Sequence, residues 1–543
     1  MFARFRKVAY WWWVKLRLSE KGQKKTILTV VILTLALSGA LFYFISALEN
    51  KGQNAAAASR PLQRPTTRSC KVLLFQTTFQ SGSTVYDGRY APPADCTHPW
   101  SMIVLDWNGT VIGSGTDRIG AIWISGAEIF RTSTPETDDS SWHVEKDVSE
   151  YSSLLKSSQN LTSIITAYSG HIRIVATLSF YETSQQYPVA YAPDVIIPVS
   201  NVQSPPWITI STGQTIANVS VSLPKNILNV TLEVYATGHH CDETWFDSYI
   251  VSSSGCASSD AFRETEIFLD GNISGVVWPV PVIYTGGINQ NLWETIPAVN
   301  ALNIPPIGVP LTPFSSRMAD GRLHTIGFRV TGNMGWWLID ANMLVSRDLG
   351  SQTVSGNLTK YETPDVNRQS STGIDWVLSR VTISETENRN LVISGYVNTS
   401  IGTIFTTVRE TMSMSNTQVV TRSHFTNSLS ARGSRTTTII TSGPGVTTNE
   451  TDTESYSVGF SQPLISTKGI LIIQIDQNIQ HQHILFQNGI SSTTMTSDRV
   501  LAHSNGETSE SYSYADSSGE CYDHYVATTH GSVTSDILNL RCA

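Results

Sequence analysis

Asp117 and Arg118 stand directly before an apolar run, residues 119–124. A carboxylate at the mouth of a strand can orient a water and take its proton, as amide hydrolysis demands. The guanidinium beside it can hold that carboxylate or a sugar hydroxyl through its planar fork. An ordinary ion pair at a loop–strand junction would have the same sequence. A second polar concentration is Gly238-His239-His240-Cys241-Asp242-Glu243-Thr244-Trp245. Either of the adjacent acids, Asp242 or Glu243, raised in pKa by a like charge nearby, could donate a proton to a leaving nitrogen, with the other acid and His240 as substrate contacts. A metal site or a merely polar loop are the rival readings, and no second ligand cluster has zinc spacing. A third group is aromatic: Trp278, Trp293, Trp336 and Trp337 near Gly286-Gly287 and Asn289. Indole faces stack on sugar rings and an amide reads hydroxyls, yet large aromatics also fill sandwich cores.

Other constellations point away from competing chemistries. His481 and His483 would share one face of a strand, where exposed histidines are ordinary. The sequence contains no G-x-S-x-G and no C-x-x-C. It also has no phosphate-binding glycine loop and no basic patch after residue 48, so a nucleotide cofactor or nucleic-acid partner is not expected. No metal and no cofactor are expected.

The elements that must position these residues are strands. Charged residues make up only 15% of the 543, and β-branched residues recur throughout. Short apolar or alternating runs, such as 70–75, 101–107, 120–124 and 171–180, are separated by turn signals, which argues for antiparallel sandwiches or jelly rolls. One segment, 147–155, reads as a helix with Asp147 as N-cap and Glu150 completing a capping box. The expected class is all-β: a first jelly-roll domain over 69–203, a second over 204–347 and a C-terminal β-rich domain over 348–543.

Ahead of these lies a 22-residue uncharged stretch, 27–48, long enough to span a bilayer. Eight basic residues against Glu20 precede it, which puts the N-terminus in the cytosol. We expect a cytosolic tail (1–25), a type II signal anchor (26–48), a stalk (49–68) and a luminal or extracellular bulk in the endomembrane system. Trp11, Trp12 and Trp13 suit the membrane–water boundary. All six cysteines follow the span, and sequential pairing suggests disulfides Cys70–Cys96, Cys241–Cys256 and Cys521–Cys542. Eight sequons follow it too, at Asn108, Asn160, Asn218, Asn229, Asn272, Asn357, Asn398 and Asn449.

Several dispersed segments, in order, resemble the peptide:N-glycosidase amidase A family. They are V-L-D-W (104–107), T-D-R-I (116–119), W-I-S-G-A-E-I-F-R (123–131), V-E-K-D-V (144–148), L-E-V-Y (232–235), D-E-T-W (242–245), F-R-E (262–264), G-G-I-N (286–289) and D-A-N (340–342). Beyond Asp348 the likeness is thin. The resemblance implies two jelly rolls with the active site between them and Asp117 as the base that activates water. It implies a second-domain glutamate as well; Glu243 is the choice, with Asp242 or Glu264 as alternatives. No counterpart to a third acid is evident around 163–167. The implied reaction hydrolyses the amide between asparagine and the innermost GlcNAc, with Arg118 a candidate for the oxyanion. Glycopeptides or unfolded glycoproteins would be the partners. A non-catalytic glycan-binding protein and a two-carboxylate glycoside hydrolase are the alternatives.

Overall fold

The computed structural model of the protein describes residues 58–166, 170–201, 205–247, 256, 260–421, 426–462 and 472–540. The expected tail, anchor, tryptophan triplet and the first part of the stalk lie outside the described residues, as does Cys542. Among the described residues no helix is long and apolar enough to cross a membrane.

Eight strands build the first sandwich: β1 (Ser69–Gln80), β2 (Val85–Tyr90), β3 (Trp100–Ile112), β4 (Ile119–Ile124), β5 (Ala127–Ser133), β6 (Ser141–Asp147), β7 (Gln159–Ile165) and β8 (His171–Glu182). They pair as two antiparallel sheets, β1-β8-β3-β6 and β2-β7-β4-β5, the double-sheet order of a jelly roll. Alternation along β3 and β8 turns Ile103, Leu105, Trp107, Ile174, Ala176, Leu178 and Phe180 into a common core with Phe75, Phe79 and Phe130.

The second sandwich repeats that plan. Its strands are β9 (Val195–Val199), β10 (Ile208–Ser211), β11 (Ala217–Ser222), β12 (Ile227–His239), β13 (Glu264–Leu269), β14 (Asn272–Val277), β15 (Ile307–Pro310), β16 (Leu323–Thr331) and β17 (Trp336–Arg347). The sheets are β10-β17-β12-β15 and β11-β16-β13-β14, with β9 also on β17. β10 pairs with residues 336–339 of β17 and β9 with residues 341–345, so the two form one interrupted edge strand. The expected boundary at residue 204 lies between β9 and β10, and Pro205 and Pro206 directly precede β10.

The remaining strands are β18 (Ser355–Glu362), β19 (Asn367–Asp375), β20 (Arg380–Thr399), β21 (Gly402–Thr421), β22 (Thr426–Gly443), β23 (Val446–Ser461), β24 (Gln474–Gln487), β25 (Ile490–His503), β26 (Glu507–Asp516), β27 (Cys521–Thr529) and β28 (Ser532–Asn539). They form one eleven-stranded antiparallel sheet. Its strands reach 20 residues, far longer than the short runs expected. Along β20 every second residue from Glu385 to Val397 is buried, with no turn residue until Ser400. One face of this sheet joins the core of the second sandwich, since Leu391, Ile393, Met412, Val458 and Ala502 cluster with Trp245, Phe246 and Phe262. The C-terminal region is therefore packed as a continuation of the second sandwich.

Residues 58–68 of the expected stalk lie against the folded body. The Ala58 N–H donates to Glu510 (2.8 Å), Arg60 pairs with Glu520 (2.8 Å), and Arg64 pairs with Asp106 (2.7 Å) and Glu145 (2.8 Å). The expected helix is shorter than its capping pattern suggested: a 3₁₀ turn, Ser149–Tyr151, runs into a single helical turn, Ser152–Leu155. Asp147 accepts from the N–H of Ser149, two residues on (2.9 Å). Glu150 does not close a box but interacts with Glu233 and Lys146. The disulfides Cys70–Cys96 and Cys241–Cys256 are formed, and Cys521 is also disulfide-bonded. All eight sequon asparagines occupy exposed positions.

Candidate active site

The seam between the two sandwiches is polar and closed by residues of the motifs above. Arg131 and Glu128 on β5 form a fully buried ion pair (2.7 Å). The guanidinium also donates to the carbonyl of Leu338 (2.8 Å) and to Thr237 (3.1 Å). Asn342 donates to the Glu128 carbonyl (2.7 Å), and the Trp123 indole to Asp340 (2.9 Å). Lys146 reaches Tyr235 (2.8 Å), and Tyr151 donates to Glu233 (2.8 Å). All three guanidinium nitrogens of Arg131 are bonded, the condition under which a buried charge is tolerated. This network holds the two sandwiches in register.

At one end of the seam three carboxyls converge. Asp117 lies two residues before β4, and Glu136 three residues after β5. Because Ile119 faces Ser133 in the β4–β5 pair, both acids emerge at the same end of that hairpin. The third acid, Glu243, comes from the turn after β12. There His240–Asp242 forms one 3₁₀ turn, entered through His240 at φ +61°. Asp242 anchors the turn: it accepts from Arg263 Nε (3.1 Å) and Nη2 (2.7 Å), from Trp337 Nε1 (2.7 Å) and from the Met334 N–H (3.0 Å). With Asp242 held inward, Glu243 is turned toward the first sandwich, close enough for Asp117 and Glu136 to act on its charge.

The 284–293 loop supplies the floor. The Gly287 N–H closes a turn on Tyr284 O (2.8 Å), Asn289 accepts from the Asn291 N–H (3.0 Å), and Trp293 Nε1 donates to Gly287 O (2.9 Å). Thr285 Oγ1 bonds the Thr134 carbonyl (2.5 Å), stapling this loop to the first sandwich. Gly286 is thereby pressed against the acids. A β-carbon there would lie 2.2 Å from Glu136 Oε2 and 3.2 Å from the Asp117 carboxyl carbon. Only glycine leaves both carboxyls room at that contact.

Burial dominates the electrostatics. It raises the pKa of Asp117 against the opposing pull of a backbone N–H and of Arg118. It raises Glu136, with the Asp117 charge adding to the effect. It lifts Glu243 to about 7, again with help from Asp117 and then Glu136. Arg118 is buried and bonds Thr116 through Nε (2.8 Å), while Nη1 and Nη2 have no partner among the described residues. Glu136 Oε2 is likewise buried without a partner among them. Buried donors and a buried acid oxygen without partners among the described residues are groups that a substrate could satisfy.

Beside Glu243 the rings of Tyr284, His239, Trp336 and His240 form a stack, with centroids 5.7 Å apart for Tyr284–His239, 6.4 Å for His239–Trp336 and 5.3 Å for Trp336–His240. His239 is held neutral, pushed down to about 3 by burial and then by Arg131. Trp336 remains 40% exposed and offers a face to solvent. A cavity of about 330 Å³ adjoins Glu243 and His240. A larger cavity, about 800 Å³, lies elsewhere, between Pro305-Pro306 and the C-terminal sheet, and contains none of the three acids. His481 and His483 share one face, as expected, but each bonds a neighbouring acid, Asp452 (2.9 Å) and Glu450 (3.1 Å).

The sequence-derived candidates therefore divide. Asp117, Arg118, Glu243 and His240 meet around the seam. Asp242 is consumed by four internal hydrogen bonds and supports its neighbour. Glu264 is buried against the C-terminal sheet, paired with Arg389 and Trp278, so it cannot face the cluster. Trp278 and Trp293 are buried core residues, and Asn289 is spent on capping its own loop. Glu136 is the acid that sequence reasoning missed. Its signal was the hairpin itself, since an acid just after β5 must lie near one just before β4.

A peptide-N4-(N-acetyl-beta-glucosaminyl)asparagine amidase A of Prunus dulcis is 31% identical over 395 residues, 67% of this chain and 68% of that protein. Among solved structures, PNGase F, a glycosylasparaginase from Flavobacterium meningosepticum, aligns with a TM-score of 0.36 at 14% identity, covering 52% of this chain and 96% of that one. PNGF-II aligns at 0.36 and 16% identity, covering 52% of this chain and 65% of that one. Residues 59–375 match the family described as peptide N-acetyl-beta-D-glucosaminyl asparaginase amidase A. The chain belongs to that amidase family.

Proposed function

We propose that this protein hydrolyses the amide between an asparagine side chain and the innermost GlcNAc of N-linked glycans, leaving aspartate and a free glycan. Family membership supports the reaction class. The observation that carries the site is the meeting of Asp117, Glu136 and Glu243 at Gly286, with Arg118 next to Asp117 in sequence and its Nη nitrogens without a partner among the described residues. In this reading ionised Asp117 takes a proton from water as it attacks the amide carbonyl. The negative charge that develops on the carbonyl oxygen is met by Arg118 Nη1 and Nη2. As the C–N bond breaks, Glu243 gives its proton to the leaving nitrogen. Burial, then the Asp117 charge and then that of Glu136 keep Glu243 protonated near neutral pH. The products are a peptidyl aspartate and a glycosylamine, which sheds ammonia in solution. The exposed face of Trp336 is suited to stack on a sugar ring.

We further propose that the catalytic part is luminal or extracellular, carried by a type II anchor over 26–48. The exposed sequon asparagines and the disulfides support that side of the membrane. The test of function is mass spectrometry of an N-glycopeptide incubated with the protein in ordinary and heavy-oxygen water. Loss of the whole glycan with one heavy oxygen in the new aspartate is expected. A GlcNAc left on asparagine would mean a glycoside hydrolase, and an unchanged but bound glycopeptide a glycan-binding protein.

A further inference from the structure

The cavity of about 800 Å³ between the second sandwich and the C-terminal sheet has Asn229 in its wall. Asn229 is an exposed residue of β12 and opens a sequon, Asn229-Val230-Thr231, whose threonine also lines the cavity. Its Oδ1 accepts from the hydroxyl of Thr312, another wall residue. That leaves Nδ2, the atom to which an N-linked sugar is attached, without a hydrogen bond among the described residues. The C-terminal sheet contributes a row of hydroxyls: Thr406, Thr441 and Thr448 are direct neighbours across β21, β22 and β23, and all three line the cavity. Two further atoms of lining residues, Arg435 Nε and Asp498 Oδ1, are buried without a partner among the described residues. Buried polar atoms in native proteins are paired as a rule, so this lining is short of one acceptor and one donor.

We infer that Asn229 carries an N-linked glycan whose innermost sugars seat in this cavity, against the C-terminal sheet. The inference rests on the luminal or extracellular placement proposed above and is independent of the amidase reading. A hydroxyl both donates and accepts, so one sugar can serve Arg435 Nε and Asp498 Oδ1 together; a metal cation would meet only the acceptor, and an anion only the donor. Two of the other lining acids are already engaged, Asp452 with His481 (2.9 Å) and Glu450 with His483 (3.1 Å). The volume lies within the range of ligand pockets, about 300–1,000 Å³. A sugar tethered at the rim acts at an effective concentration of about millimolar, which favours it over a free saccharide. Seated there, the glycan would brace the second sandwich against the C-terminal sheet and be withheld from deglycosylating enzymes, other copies of this protein included.

The experiment uses the full chain made through the secretory pathway, carrying Asp117→Asn so that its own activity cannot strip its sequons. Glycan occupancy is mapped by mass spectrometry. The protein is then treated, native and denatured, with an endoglycosidase that cuts between the two core GlcNAc residues. Asn108 is exposed, and Asn449 lies between Thr448 and Glu450 on β23, so its side chain leaves the opposite face of the sheet. A glycan seated at Asn229 nine-tenths of the time should be trimmed about tenfold more slowly than those at Asn108 and Asn449 in the native protein, and equally fast after denaturation. Thr448→Trp, which fills the cavity from the sheet side, should bring Asn229 to the rate of Asn108, while Thr448→Ser should preserve its protection. A bare Asn229 beside occupied Asn108 and Asn449, equal native trimming at all three, or protection that survives Thr448→Trp overturns the inference and leaves the luminal placement standing. Bare asparagines at every sequon remove that placement and the inference with it. The amidase reading is untouched in every case.

Discussion

Glu243→Gln separates the stability and catalysis of the site, and its effect follows from one shifted titration. Burial, Asp117 and Glu136 move the Glu243 carboxyl from its ordinary 4.5 to about 7. In the unfolded chain it titrates at the ordinary value. Between those two pH values the folded protein holds a proton that the unfolded chain has released. Stability from this group is therefore full below about pH 4.5 and falls as pH rises, levelling off above about 7. The whole loss is about 3 kcal/mol, and about 2 after allowance for partial solvent access. Glutamine keeps the shape without the charge. Urea unfolding should therefore find Glu243→Gln close to wild type at pH 4.5 and about 2–3 kcal/mol more stable at pH 8. Glutamine cannot donate the proton, so kcat should fall roughly 10²- to 10⁴-fold below about pH 7, and the deficit should shrink above it. Wild-type kcat should itself decline as pH rises through about 7. A stability difference that is the same at pH 4.5 and pH 8 would refute the electrostatic account, whatever happened to kcat.

Other substitutions probe the remaining groups. Asp117→Asn should cut kcat by about 10³-fold, as expected for loss of the base, while the urea midpoint at pH 8 rises, because burial disfavours the Asp117 charge. Arg118→Ala should lower kcat about 10²-fold with a small change in KM, because its free nitrogens meet charge that exists only in the transition state. Gly286→Ala places a methyl 2.2 Å from Glu136 Oε2. The carboxyl must swing away, and the alkaline limb of kcat against pH should move below 7 as Glu243 loses a neighbouring charge. Trp336→Ala should raise KM for a glycopeptide about threefold to tenfold, with Trp336→Tyr closer to wild type, measured by steady-state kinetics.

The sequence by itself determined the element type and much of the reaction class. Alternation in runs such as 171–180 specifies strands because side chains point to opposite faces with a period of two. Sequential cysteines close short loops, which is why Cys70–Cys96 and Cys241–Cys256 could be paired from spacing. Asp117 drew attention because it stands at the mouth of an apolar run, and Glu243 because it lies in a polar loop inside a segment that resembles the family. What the sequence could not separate was a buried acid that supports from a buried acid that faces the seam. Asp242 and Glu243 are adjacent, yet one 3₁₀ turn sends the first into a cage of four donors and the second toward Asp117. Glu264 carries a similarly raised pKa but answers to Arg389 of the C-terminal sheet. Trp278 and Trp293 looked like Trp336, and only packing left the last one a free face. Glu136 needed the register of β4 against β5. That the C-terminal sheet walls the cavity beside Glu243 needed the packing of three domains together. These are long-range facts, set by which surfaces bury each other, and local pattern carries no record of them.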